Sequence, residues 1–395
     1  MCKVIMIGCD LHDKTMLLKM AVGRQTPTMR TVRNTVKDRK KMIADLKERK
    51  KQTGAQRIVF AYEASGLGFG LYDELKDAGI ECHVLAPTGL ERSVQHRRRK
   101  TDERDAEQLL GALRAHVLAG NDLPDVWIPS LQTRDDRDLV RTRVDLADKL
   151  TAVKNETKSL LKRNGIRRPT AMGKGWTRRY FLWLDDISED GDARLAPGAS
   201  VALKSKLLQI EFLVAELQRL DGYVIELAMT ARYHDAFFRL TRIKGVGNLT
   251  AMLFLTEMGD LSRFENRRQI AAFLGLAPST YESGEANDRK GHITRQGPAR
   301  VRKLLCQATW SQMRTDEHTK ATYERLVERN PKHKKIAVVA CMRRLGIQMW
   351  HRASGHPQPD TSLGLDRAGP PRGTLPDAGP WPVAEVHATA KAQPG

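Results

Sequence analysis

The sequence holds no apolar run approaching the ~18 residues that suggest a membrane-spanning helix. The apolar N-terminus, "MCKVIMIGCDLH", is too short for a secretory leader and is broken by Asp10, so it reads as a strand. The five cysteines (Cys2, Cys9, Cys82, Cys306 and Cys341) make no CxxC pair and show no metal-ligand spacing. That scatter argues against a disulfide framework or a zinc site, and suits a reduced, cytoplasmic setting. No internal repeat is present. Acidic charge is also in short supply, with 47 Asp+Glu against 67 Lys+Arg and a formal net charge of +20.

The basic excess is clustered. It falls in "DRKKMIADLKERKK" at 38–51, "QHRRRK" at 95–100, "KNETKSLLKRNGIRR" at 154–168 and "NPKHKK" at 330–335. A polyanion neutralised by such patches releases its counterions, which makes nucleic acid the natural partner. A net charge of this size also exceeds what solubility alone requires.

Length allows two or three domains. Residues 4–9, 16–22 and 28–33 read as three strands in a meander, followed by a helix over 37–51. A strand at 57–62, a helix at 67–78 and a strand at 81–86 come next. This order predicts an α/β domain with a mixed sheet over residues 1–130, matching the ribonuclease H-like arrangement and other α/β folds besides. Over 131–237, apolar residues at three- and four-residue spacing predict two long antiparallel helices, a coiled-coil-like arm, joined by a linker with a short aromatic-rich helix. A helical domain is expected over 238–352. The segment 353–395 holds eight of the seventeen prolines and is expected to be disordered.

Four acids stand out. Asp10 ends the first strand, and Glu63 ends "RIVFAYE". If those strands are parallel neighbours, both carboxylates emerge at one sheet end, where active sites of open α/β sheets lie. Asp102 and Asp105, in "KTDERDAEQLL", are spaced i, i+3 at a helix start and project on one face. Four carboxylates brought together call for divalent cations, and hard oxygen donors suit Mg²⁺. Glu103, Glu107 and Asp13 read as bystanders, with Glu107 the substitute in another register.

Further along, "IKGVGNLTAMLFLTEMG" at 243–259 reads as the hairpin of a helix-hairpin-helix element or as a plain tight turn between helices. Gly245 and Gly247 would let backbone N–H groups approach a DNA phosphate, with Lys244 beside them. The stretch "TYESGEANDRKGHITRQGP" at 280–298 reads as a basic, glycine-punctuated loop between two apolar segments.

The stretch from "GVGNLTAMLFLTEMG" to "VRKLLCQATW" resembles the C-terminal domain of the bridge-RNA-guided insertion-sequence recombinases, DEDD transposases with a RuvC-like N-terminal domain. "GCDLHDKT", "YEASGLGFGLYDELKDAGIECHVLAP" and "KTDERDAEQLL" resemble that N-terminal domain, so the likeness spans about 3–350. It implies Mg²⁺ held by Asp10, Glu63, Asp102 and Asp105. It also implies that Ser283, in the Ser-Gly pair and not Ser279, is the nucleophile that joins DNA covalently. Donor and target double-stranded DNA, an element-encoded guide RNA and a homo-oligomer, dimer and tetramer, are the implied partners, in a bacterial cytoplasm at the nucleoid. Arg97, Arg98, Arg99 and Lys100 are expected to contact phosphate, as are Arg289, Lys290, Arg295 and Arg300. Gly284 is expected to permit close approach to the backbone.

Two other readings stay open. One is a RuvC-like, metal-dependent nuclease or junction resolvase in which water attacks and Ser283 is idle. The other is a non-catalytic basic scaffold whose acids are structural.

Overall fold

The computed structural model describes residues 3–89, 101–189, 195–283 and 286–355, with the side chains of 280–290 excepted. It divides into two compact units, Met1–Pro129 and Ser130–Gly395.

The first unit is built on five strands: β1 (Val4–Leu11), β2 (Thr15–Val22), β3 (Thr28–Arg33), β4 (Arg57–Glu63) and β5 (Glu81–Leu85). Their order in the sheet is β3-β2-β1-β4-β5. The first three form an antiparallel meander, while β1, β4 and β5 run parallel. This mixed sheet is compatible with the ribonuclease H-like arrangement.

The apolar run of β1 is covered on both faces. Ile5, Ile7 and Cys9 pack with Met42 and Leu46 of α1 (Val36–Thr53) and with Leu71 and Leu75 of α2 (Gly70–Asp77). Val4 and Met6 pack on the other face with Leu109, Leu110 and Leu113 of α3 (Asp102–Ala119). Side chains alternate across a strand, so Gly8 and Asp10 follow Met6 onto the α3 face. In β4, Val59 and Ala61 belong to that same face, which places Glu63 there too. Thr101 caps α3, its hydroxyl accepting from the Arg104 N–H at 3.4 Å.

The second unit carries two long helices, α4 (Leu131–Arg163) and α6 (Pro197–Ala228). Arg143 pairs with Asp221 at 2.7 Å and Glu156 with Lys206 at 2.7 Å. The partners run in opposite order along the chain, so the helices are antiparallel. Between them α5 (Arg178–Ser188) buries Tyr180, Phe181, Leu184 and Ile187 against both. The Arg168 guanidinium stacks 3.6 Å from the centroid of the Tyr180 ring.

A second core joins the near end of this pair, through Val140, Val144, Val224 and Leu227, to the remaining helices. These are α7 (His234–Thr241), α8 (Asn248–Met258), α9 (Arg267–Phe273), α10 (Ala299–Thr315), α11 (Glu317–Arg329) and α12 (Lys334–Ser354). Arm and C-terminal helices therefore share one core. Arg141 forks onto Glu257 at 2.6 and 2.8 Å, and Arg137 donates to the carbonyls of Thr256 and Glu257, closing the end of α8.

One element departs from expectation. The stretch read as a loop forms a hairpin, β6 (Pro278–Ser283) with β7 (Ala286–Ile293), whose register is broken by two irregularities. Backbone pairing satisfies the N–H and C=O groups where a core is missing. From residue 356 onward the segment expected to be disordered lies outside the described residues.

Candidate functional site

The α3 face of the sheet gathers the acids. Cys9 pairs with Tyr62 in the β1–β4 register, so Asp10 and Glu63 stand one step further along neighbouring parallel strands. Helix α3 can lie against β1 because Gly8 has no side chain: a Cβ there would collide with the backbone of Ala106 and Leu110. That close approach brings the N-terminal turn of α3, with Asp102 and Asp105, toward Asp10.

Histidine 12 sits between these groups. Its Nε2 is 3.0 Å from Asp10 Oδ2 and 3.5 Å from Asp102 Oδ1. The Asp10 side chain is 16% exposed, against 46% for His12 and 62% for Asp102, so the cluster opens from a half-buried floor to solvent. The turn carrying His12 is held by the Asn34 amide, which donates to its carbonyl at 2.8 Å. One donor atom from each of Asp10, His12 and Asp102 falls within 4.8 Å of the others.

The electrostatics match that crowding. Burial pushes the Asp10 carboxyl above its ordinary value. The neighbouring His12 opposes that shift, and the carboxylates of Asp102 and Asp105 add to it. Glu103 and Glu107 of the same helix are held elsewhere: Lys19 of β2 meets them at 3.2 and 2.7 Å. The donor set suits a divalent cation, whose charge would relieve the repulsion that Asp10 feels. This cluster therefore points to a divalent metal site.

His12 and Lys19 were not singled out from the sequence. His12 follows Asp10 by two residues and stands just past the end of β1, and that nearness in sequence is the signal that could have found it. Lys19 is opposite Gly8 in the β1–β2 register, a relation visible only once the strands are paired.

In the second unit, Ser283 ends β6 and pairs in register with Ala286; its side chain lies outside the described residues, as do those of Arg289 and Lys290. Gly284 and residues Arg97, Arg98, Arg99 and Lys100 also lie outside them. Ser279 donates through its hydroxyl to the His292 carbonyl at 3.0 Å, across the hairpin. Lys244 is exposed, with Nζ 3.7 Å from Asp316. Gly245 has φ +85° and packs on the backbone of α10, while Gly247 is exposed at the start of α8. Arg295 is exposed with φ 55°, a left-handed conformation uncommon outside glycine. Arg300 forks onto Asp145 of α4 at 2.7 and 2.6 Å, a tie between α10 and the arm. No helix of the described residues is long and apolar enough to cross a membrane.

Two family models match the chain. One, described as "Transposase IS116/IS110/IS902 family", covers residues 238–324. The other, a transposase model of the DEDD type from IS110, covers residues 7–165 and so contains all four acids. Among similar proteins, one from Sinorhizobium fredii named as transposase y4qE is 32% identical over 256 residues, 65% of this chain and 59% of its own length. The transposase for insertion sequence element IS1533 of Leptospira borgpetersenii is 24% identical over 310 residues, 78% of this chain and 84% of its own. The transposase for IS1111A of Coxiella burnetii is 27% identical over 243 residues, 62% of each chain. The chain thus spans about three fifths of the first and third relatives and most of the second.

Proposed function

We propose that this chain, which matches two transposase family models of the IS110/IS116 type over residues 7–165 and 238–324, is a transposase of that family and acts as an RNA-guided, Mg²⁺-dependent DNA recombinase. It cuts and rejoins donor and target DNA through Ser283, assisted by Asp10, Glu63, Asp102 and Asp105. The observation that carries this reading is the placement of the acids: β1, β4 and the start of α3 all deliver carboxylates to one face of the sheet.

In the proposed step the Ser283 hydroxyl loses its proton and its oxygen attacks a DNA phosphorus. A phosphoserine ester forms as one P–O bond of the strand breaks, and the departing strand oxygen takes up a proton. Attack by a strand hydroxyl on the phosphoserine then reverses the chemistry, rejoins DNA and frees the serine. Bound Mg²⁺ would stabilise charge on the transferring phosphoryl group and lower the pKa of the attacking oxygen. Asp10, Glu63, Asp102 and Asp105 would hold the cation, a role supported by the closeness of Asp10 and Asp102, whose nearest carboxylate oxygens lie within 4.8 Å of each other. The serine loop of one subunit serves the acids of another, in a dimer or tetramer.

Net charge of +20 supports a polyanionic partner. Base pairing by a guide RNA would supply target choice, leaving the protein to hold backbones.

The test is a denaturing gel of protein, Mg²⁺, element-flank RNA and labelled junction DNA, comparing wild type with Ser283→Ala. A covalent, protease-sensitive protein–DNA band that needs Ser283 is expected. Free cleaved DNA from both proteins, without that band, would instead establish a RuvC-like nuclease with water as nucleophile.

A further inference from the structure

The acids of this site are accompanied by one nitrogen donor. His12 points its Nε2 between two of them, at 3.0 Å from Asp10 and 3.5 Å from Asp102. Neighbouring donors on an octahedral ion with bonds of about 2.1 Å stand about 3 Å apart. The two separations from His12, 3.0 and 3.5 Å, are close to that spacing, and all three donor atoms lie within 4.8 Å of one another. A proton shared between His12 and Asp10 can give way to a metal ion at the same point with little movement of the chain. Two features keep His12 there: the Asn34 amide bound to its carbonyl, and its own N–H bonded to the Thr15 carbonyl at 2.9 Å.

We propose that His12 is a ligand of the divalent metal at Asp10 and Asp102, making a mixed nitrogen–oxygen site that binds Mn²⁺ more tightly than Mg²⁺. The inference rests on the acidic metal site proposed above. Its chemistry follows from ligand softness. Carboxylate and water suit Mg²⁺, whereas imidazole favours first-row transition ions, and Mg²⁺ gives up its waters reluctantly. Mn²⁺ accepts oxygen donors as readily and tolerates a nitrogen among them.

The experiment uses the purified full chain and Mn²⁺ alone. Bound Mn²⁺ is measured by the loss of the free-ion EPR signal, with Mg²⁺ as competitor, and its ligands by pulsed EPR. The wild type is expected to take up Mn²⁺ and to show the ¹⁴N modulation of a coordinated imidazole. His12→Ala should keep Mn²⁺ uptake, lose the modulation and bind Mn²⁺ about tenfold more weakly relative to Mg²⁺, the lower end of what altered ligand environments cost. His12→Gln, which keeps a polar side chain, should lose the modulation as well. A wild-type spectrum without the modulation overturns the role of His12 with no variant needed, and the two His12 variants, judged where Mn²⁺ uptake is kept, assign the nitrogen when it is present. Mn²⁺ bound in an Asp102-dependent manner without ¹⁴N modulation would overturn the role of His12 and leave the acidic site standing. Failure of the wild type to bind Mn²⁺, or binding indifferent to Asp102→Asn, would overturn both.

Discussion

Gly8 and Ala106 touch backbone to backbone: any Cβ on Gly8 would overlap the Ala106 carbonyl oxygen. Through this contact helix α3 rests directly on β1, two residues before Asp10 and one turn after Asp102. Substituting Gly8→Ala is expected to cost about 1–3 kcal/mol, the range for overpacking a tight interior. Urea unfolding of the full chain would read that loss. Because the strain lifts the start of α3, uptake of Mn²⁺ should weaken more than stability does. A Gly8→Ala protein with unchanged metal binding would show that the acids do not depend on this contact.

The strand ends that carry Asp10 and Glu63, and the helix start that carries Asp102 and Asp105, were legible because each depends on local pattern: an apolar run ending in an acid, or acids in a first helical turn. The two long helices were legible for the same reason, since their apolar stripes recur over many turns. What the pattern left out is long-range. The hairpin β6–β7 has little apolar alternation to announce it, and its pairing answers a need for backbone hydrogen bonds. Arg300, read as a phosphate contact, has its fork on Asp145, 155 residues earlier in the chain. The link of His12 to Asp102 depends on how closely a helix can approach a sheet, which one glycine decides.

His83 on β5 is flanked by two carboxylates, with Nδ1 at 2.8 Å from Asp125 and Nε2 at 3.2 Å from Glu81. The Asp125 hydrogen bond, reinforced by Glu81, raises its pKa above the ordinary value of about 6.5 despite partial burial. The ring of His116 stands edge-on at 5.5 Å, and Arg57 holds the other side of Glu81 at 2.9 Å. A pKa raised by folding gives stability that is complete below the unfolded value and fades as pH rises through the folded one. Thermal melts between about pH 6 and 8.5 should therefore show a falling Tm. The decline should be shallower in His83→Gln; an identical slope would remove His83 as its source.

Glu257 is a buried acid, 5% exposed, whose partner is the Arg141 fork. Removing the arginine leaves a carboxylate inside the core that links α4 to α8. Arg141→Ala is expected to destabilise by about 3 kcal/mol, the lower end for a broken buried pair because Arg141 is itself part-exposed. The double variant Arg141→Met with Glu257→Leu should recover most of that loss, since the unpaired charge goes with its partner. Chemical unfolding of both variants measures the difference. Equal losses in the single and double variants would mean that packing, not the stranded charge, dominates.

The hairpin that carries Ser283 is anchored by two glycines that cross at its base. Gly275 follows α9 with φ +65°, and Gly297 precedes α10 with φ +83°. A Cβ on the first would meet the Gln296 carbonyl, and one on the second the Phe273 carbonyl. Arg302 binds this crossing by donating to the carbonyls of Leu274, Gln296 and Gly297 at 3.0–3.2 Å. Gly297→Ala therefore combines a left-handed strain of about 1–2 kcal/mol with a backbone collision that only movement of one segment relieves. The expected outcome is local: faster amide hydrogen exchange across 278–293, and loss of the covalent protein–DNA band. Uptake of Mn²⁺ by the first unit should remain, because its ligands belong to a separate core. A variant with slow exchange at the hairpin and no band would place the defect in the chemistry itself. One that keeps the band would show that Ser283 works without a fixed base beneath it.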